Sequence, residues 1–67
     1  MSYRIIKEIL CEETGKNYIV GDIVGIKLKN GGGMGGCQIT KITQTGFHYN
    51  QGGKDKAIQF SKIEKLY

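Results

Sequence analysis

IVGIKLK, residues 23–29, is the clearest strand signal in the sequence, because its side chains alternate between two kinds. Val24, Ile26 and Leu28 have one parity, whereas Gly25, Lys27 and Lys29 have the other. Successive side chains of a β-strand point to opposite faces, so this period of two predicts a strand with one buried and one solvated face. Such strands form antiparallel sheets that cover a single core.

Two later segments alternate in the same way. Phe47 and Tyr49 alternate with His48 and Asn50, and Ile58 and Phe60 alternate with Ala57 and Gln59. Glycine and asparagine clusters at residues 14–17, 30–36, 46 and 50–53 separate these pieces, and the chain contains no proline. Short strands with turn signals at intervals of about 8 to 12 residues are typical of a β-sandwich or barrel.

Residues 37–43 break the alternation, since Ile39 and Ile42 have opposite parity although both are candidate core residues. We therefore predict a β-bulge or sharp bend near Thr40 and Lys41, which would turn both side chains inward. Small barrels need such a bend in order to close.

The two ends of the chain are less regular. Ile5, Ile6, Ile9 and Leu10 fit a helical stripe, but their β-branched content and the turn at residues 14–17 favour a strand paired with residues 18–20. Residues 61–63 are predicted to form a single 3₁₀ turn before a last short strand that ends at Leu66.

Size and composition limit the function. The chain has 67 residues, of which 39% are hydrophobic and 24% charged, so we expect one small folded domain over residues 1–67. A domain this small has no room for the cleft between two lobes in which many enzymes hold substrate, and we therefore expect no enzyme. No apolar run approaches the about 20 residues that span a bilayer, and Lys7 and Glu8 interrupt the apolar start, so we expect a cytoplasmic protein.

The residues that bind metals or act as nucleophiles are sparse. Cys11 and Cys37 belong to no CxxC pair, and His48 is the single histidine, which is a poor zinc set. We interpret both cysteines as reduced, small hydrophobic residues. No serine or cysteine stands beside His48 in the sequence and no carboxylate pair suggests acid-base chemistry, so we predict no catalytic residue, metal or cofactor.

One segment is unusually rich in glycine, and it consists of Gly31, Gly32, Gly33, Met34, Gly35 and Gly36. Consecutive backbone N–H groups can cradle an anion, but no Lys-Ser or Lys-Thr follows and the flanks are strand-like. We therefore interpret the segment as a flexible hairpin loop with positive φ angles, long enough to close over a partner.

The overall layout resembles a known group of small barrels. GDIVGIKLKNG at residues 21–31 and AIQFSKIEKL at residues 57–66, with Gly36, Ile39, Ile42, Phe47 and Tyr49 between them, are similar to SH3-like and Sm-like proteins. Leu28-x-Asn30-Gly31, with Gly36 five residues later, resembles the first Sm motif, and the opening GDIV resembles bacterial SH3-like domains. The resemblance implies an all-β, strongly bent antiparallel barrel of five or six strands.

The sequence departs from the Sm family where that family reads bases. Thr43 stands near the position of the family's acidic residue, no asparagine follows Phe47, and no Arg-Gly pair lies near Ser61. The resemblance therefore implies the barrel and neither uridine recognition nor ring assembly.

The net charge of +4 favours an anionic partner. We predict that outward faces or strand tips carry Lys27, Lys29, Lys41, Lys54 and Lys56, with His48 near them. Such a basic face binds phosphates and favours nucleic acid, whereas Phe47 and Tyr49, which are better stacking platforms, have the parity of core residues. Two alternatives remain open: a merely solvated surface, and a protein adaptor that receives a peptide at an exposed edge strand. The sequence does not indicate an oligomeric state.

Overall fold

The computed structural model describes residues 8–12 and 14–67, and in this part of the chain the protein is all-β. Its strands are β1 (Ile9–Cys11), β2 (Lys16–Tyr18), β3 (Ile23–Leu28), β4 (Gly33–Ile42), β5 (Gly46–Gln51), β6 (Lys54–Gln59) and β7 (Ile63–Leu66). A 3₁₀ turn, Phe60–Lys62, joins β6 to β7. Within the described ranges, no helix is long and apolar enough to cross a membrane.

Five of the strands form one antiparallel sheet in the order β6-β5-β4-β3-β7. Strands β3 to β6 are consecutive neighbours, and the 3₁₀ turn then returns the chain so that β7 pairs with β3. β1 and β2 form a separate antiparallel hairpin. The edges of the described five-stranded sheet are therefore β6 and β7.

The core lies on one face of this sheet, as the alternation predicted. Its buried members are Ile9, Val24, Ile26, Cys37, Ile39, Ile42, Phe47, Tyr49 and Leu66. The ring of Phe47 lies 6.0 Å from that of Tyr49 and 6.1 Å from that of Phe60, measured between centroids. Tilted aromatic pairs at this separation add to the stabilisation from buried area.

The predicted bulge in β4 is confirmed. Ile39 lies opposite Tyr49 and Lys41 lies opposite His48, which leaves Thr40 as an extra residue in the ladder. Ile39 and Ile42 are both buried as a result. Further register shifts occur between Val24 and Ile26 and between Lys27 and Leu28.

The prediction of a loop over residues 31–36 is wrong for its last four residues. Gly33, Met34, Gly35 and Gly36 belong to β4, with Met34 opposite Ile26. The connection is a tight turn, in which the Leu28 N–H donates to Gly32 O at 2.8 Å and the Gly31 N–H donates to Leu28 O at 3.1 Å. The positive φ of 96° at Gly31 permits the chain to reverse within so few residues.

A strand near the beginning is confirmed for Ile9–Cys11, while Ile5 and Ile6 lie outside the described residues. Its partner is Lys16–Tyr18 and not residues 18–20. The reason is Asp22, whose Oδ2 accepts from the Ile19 N–H at 2.9 Å and whose N–H donates to Ile19 O at 3.1 Å. These bonds hold residues 19–22 as a turn.

The predictions for the other end of the chain are close to the structure. The 3₁₀ turn begins at Phe60, one residue earlier than predicted, and β7 ends at Leu66. Phe60 and Ile63 are half-buried against the core. The turn therefore anchors the return of the chain to β3.

Candidate functional site

The basic residues that the sequence analysis grouped together do not lie on a single face. Lys41 and His48 are directly opposite each other on β4 and β5, both exposed, with Ala57 opposite His48 on β6. Directly opposite residues share a face, so this pair lies on the outer face of the sheet.

Lys54 and Lys56 occupy the other face of the sheet. Lys56 lies opposite the buried Tyr49, and Lys54 lies opposite Gln51, so both point to the core side at the exposed edge strand β6. The prediction of one basic surface is therefore wrong for these two lysines, because their parity on β6 is that of Ile58.

Lys27 and Lys29 are joined by two lysines that the sequence analysis did not single out. Lys65 on β7 lies directly opposite Lys27 on β3. The Lys29 N–H donates to Lys62 O at 3.1 Å, which fixes the 3₁₀ turn beside the end of β3. Lys27, Lys29, Lys62 and Lys65 are all exposed, and we call these four residues the lysine strip.

The sequence alone does not indicate the lysine strip, because the strip depends on the long-range pairing of β7 with β3. The local segment SKIEK, residues 61–65, shows two lysines three positions apart, but nothing local indicates that this segment lies against β3. A prediction that β7 pairs with β3 would have been sufficient to find it.

Glu64 contacts the strip. Glu64 Oε2 lies 3.3 Å from Lys27 Nζ, and the two side chains are 54% and 56% exposed. An ion pair this exposed contributes about 0–1 kcal/mol. A bound anion can therefore displace Glu64 from Lys27 at little cost.

Two shallow depressions meet at Lys62. The first, of about 310 Å³, is lined by Leu28, Lys29, Asn30, Ser61 and Lys62. The second, of about 560 Å³, is lined by Thr43, Thr45, Phe47, His48, Ala57, Ile58, Gln59 and Lys62. Among the described residues, no carboxylate lines either one, so both present hydrogen-bond donors and positive charge.

An exposed aromatic ring lies at the far end of the strip. The Tyr67 N–H donates to Gly25 O at 3.0 Å, and Gly25 in turn donates to Tyr67 O. The ring of Tyr67 lies over Gly25, since a Cβ added at Gly25 would be 2.6 Å from its Cε2 atom. Tyr67 as a whole residue is 61% exposed. Phe47 and Tyr49, the aromatic residues with the parity of the core, are both buried as predicted.

The titratable core residues are held in their neutral forms. Burial raises the pKa of the Cys37 thiol, against a smaller opposing effect of Lys56. Burial, and next the neighbouring Cys37, raise the pKa of Tyr49, whose hydroxyl donates to Met34 Sδ at 3.2 Å. A protonated thiol is a poor nucleophile. Over residues 8–12 and 14–67, no group of three or more His, Cys, Asp or Glu side chains is placed to hold a metal ion.

Comparison of the chain with protein-family models, with curated proteins and with solved structures found no match. The arrangement of its own side chains is therefore the basis for any functional assignment.

Proposed function

We propose that this protein is a non-enzymatic binding module for nucleic acid, and that the lysine strip carries its phosphate contacts. One observation carries this proposal: the pairing of β7 with β3 gathers Lys27, Lys29, Lys62 and Lys65 along one edge of the sheet. Lysines that neutralise phosphates release counterions from the nucleic acid, and this release drives binding without sequence specificity.

Repulsion between lysines of the strip destabilises the sheet, and a bound polyanion would remove this repulsion. Lys27 and Lys65 are directly opposite each other, and like charges in this arrangement destabilise a sheet. Glu64 relieves part of the repulsion through its contact with Lys27. A phosphate backbone bound along the strip would relieve the rest, and this favours an anionic partner over a merely solvated surface.

We further propose that the sheet bends into a small SH3-like barrel. Three register shifts, two in β3 pairings and one between β4 and β5, support strong curvature, because each bulge bends its strand. The return of β7 to β3 after a four-strand meander supports it as well. The departures from the Sm motifs argue against an Sm-type ring.

Charge reversal at the lysine strip and, separately, on β6 tests the nucleic-acid proposal. Anisotropy titrations with a labelled 15-nucleotide DNA strand at 50 and 200 mM salt would compare Lys29→Glu/Lys62→Glu with Lys54→Glu/Lys56→Glu. Both double variants lower the net charge equally, from +4 to 0, since each replaces two positive charges by two negative ones. We expect the strip variant to bind at least about tenfold more weakly at low salt, and the β6 variant to be affected much less.

The salt dependence of the wild-type affinity is a second test of the proposal. Four phosphate contacts on a single strand correspond to a slope of about −3 in log K against log salt. Equal losses in the two double variants would show that net charge alone is responsible, and no wild-type binding at 50 mM salt would end the proposal.

A second candidate function is a peptide adaptor. It is favoured by β6, an edge strand of the described sheet in which five of six residues are exposed. An edge strand offers unpaired N–H and C=O groups to a partner strand, while Lys54, Asp55 and Lys56 discourage self-association. Retention of one protein partner at high salt after nuclease treatment would support this function instead.

A further inference from the structure

The ring of Tyr67 continues the lysine strip at the end of β7. Lys65 precedes it by two residues on β7, and Lys27 follows Gly25 by two residues on β3. Two residues along a strand span about 7 Å, so the ring and this lysine pair lie within one or two nucleotides of each other. The aromatic group and the cations are thus arranged along one path.

The ring of Tyr67 packs against Gly25, and the residue is largely exposed. Gly25 lies beneath it without a side chain, and both Gly25 backbone groups bond to Tyr67. On the facing stretch of β4, Gly35 and Gly36 are exposed, and a Cβ at either one would meet no atom within 4 Å. Ile23, which is 71% exposed, stands two residues before Gly25. A second planar group can therefore approach the free face of the ring without meeting bulky side chains from β4.

We propose that Tyr67 stacks on an unpaired base of a single-stranded nucleic acid whose phosphates lie on the lysine strip. This inference rests on the proposed function and gives it a ligand class. In a duplex the bases are stacked on one another and are not available to a flat ring on a sheet surface, whereas every base of a single strand presents a π-face. The site therefore prefers single strands to duplexes.

The alternative explanation for the ring is a purely structural cover for Gly25. A side chain that only covers Gly25 needs bulk and apolar surface, and leucine supplies both. A side chain that stacks on a base needs a π-face, which phenylalanine has and leucine lacks. The variants Tyr67→Leu and Tyr67→Phe therefore separate the two roles.

The test is an anisotropy titration at one low salt concentration with labelled oligothymidylate of 15 nucleotides and with a 15-base-pair duplex. We expect Tyr67→Ala and Tyr67→Leu to weaken single-strand binding by about fivefold to 100-fold. Tyr67→Phe should stay within twofold of wild type. Duplex binding should change little in all three variants, because it depends on the lysines.

A direct readout accompanies the affinities and needs no variant. Ring-proton resonances of Tyr67 should move upfield when the oligothymidylate is added to the wild-type protein, and unchanged resonances at saturation would overturn the inference. Thermal unfolding of each variant identifies any loss of fold.

The outcomes distinguish this inference from the proposed function. If Lys29→Glu/Lys62→Glu weakens binding while Tyr67→Leu does not, the stacking role is wrong and the nucleic-acid proposal stands. If the wild type binds neither oligonucleotide, both are wrong. If Tyr67→Leu weakens single-strand and duplex binding equally, the ring does not select unpaired bases, and the inference is overturned.

Discussion

Gly46, at the start of β5, shows how closely two backbones approach in this sheet. A Cβ at this position would lie well inside contact distance of the Ile58 carbonyl oxygen and 2.8 Å from the Cα of Gln59. We expect Gly46→Ala to lower the free energy of unfolding by about 3 kcal/mol or more, because backbone on β6 cannot move aside as a side chain would. Urea unfolding would measure the loss.

Gly35→Ala is the matched control for this substitution. Gly35 is also a strand residue, but a Cβ there meets nothing within 4 Å and its φ is not positive. We expect a change of less than about 0.5 kcal/mol. Similar losses of unfolding free energy in Gly46→Ala and Gly35→Ala would show that the close approach of β6 to Gly46 does not cause the destabilisation.

Cys37 makes the stability depend on pH on the alkaline side. Its pKa in the folded protein is raised above the ordinary 9.0, so the unfolded chain loses this proton first as pH rises. The stabilisation is complete below about pH 8 and is lost progressively above pH 9, because the unfolded state is then favoured by deprotonation. Cys37→Ala should therefore lose less stability than wild type between pH 7 and pH 10.

Tyr49 shares this alkaline sensitivity, since its pKa is raised as well. Some loss between pH 7 and pH 10 should consequently persist in Cys37→Ala. Equal losses in the variant and the wild type, measured by urea unfolding at both pH values, would contradict the assignment to Cys37.

Thr40 determines how β4 runs along β5. Deletion of Thr40 keeps Lys41 opposite His48 and Ile42 opposite Phe47, but it removes the extra residue that bends the strand. We expect the deletion to cost on the order of 2 kcal/mol, and the exposed-site substitution Thr40→Ala to cost less than about 0.5 kcal/mol. A deletion variant as stable as the wild type would mean that the bend is not needed to wrap the sheet around its core.

The sequence predicts those features of the fold that depend only on residues close together in the chain. The parity of Val24, Ile26, Phe47 and Tyr49 is a property of single strands, and it identified the core correctly. The bulge at Thr40 was predictable for the same reason, since Ile39 and Ile42 reveal it within four residues.

The features that sequence reasoning missed depend on pairing between distant segments. The lysine strip requires the pairing of Lys27 with Lys65, 38 positions apart (65 − 27). The inclusion of Gly33 in β4 depends on how tightly Gly31 turns, and glycine permits both a tight turn and a long loop. The charge of Lys56 predicts exposure but not its face on an edge strand, and its place opposite the buried Tyr49 puts it on the core side.

A folded chain of 67 residues has a small free energy of unfolding. The usual 0.05–0.15 kcal/mol per residue gives a total of about 3–10 kcal/mol. Phe47 is 1% exposed and packs against both Tyr49 and Phe60. Truncation of such a buried phenylalanine to alanine costs about 3–5 kcal/mol, which is a large part of the total and can exceed it.

Phe47→Ala therefore tests whether nucleic-acid binding depends on the arrangement of the lysines in the strip or only on the net charge of the chain. The variant keeps the net charge of +4, but loss of the core releases β7 from β3 and disperses the lysine strip. We expect it to lose most of its cooperative unfolding transition and at least about tenfold in affinity for a single strand at low salt, whereas Phe47→Leu should stay folded and bind as wild type. Circular dichroism and anisotropy on the same samples would measure both. An unfolded Phe47→Ala variant that bound as tightly as wild type would mean that the lysines act as free charges, and the pairing of β3 with β7 would then have no part in recognition.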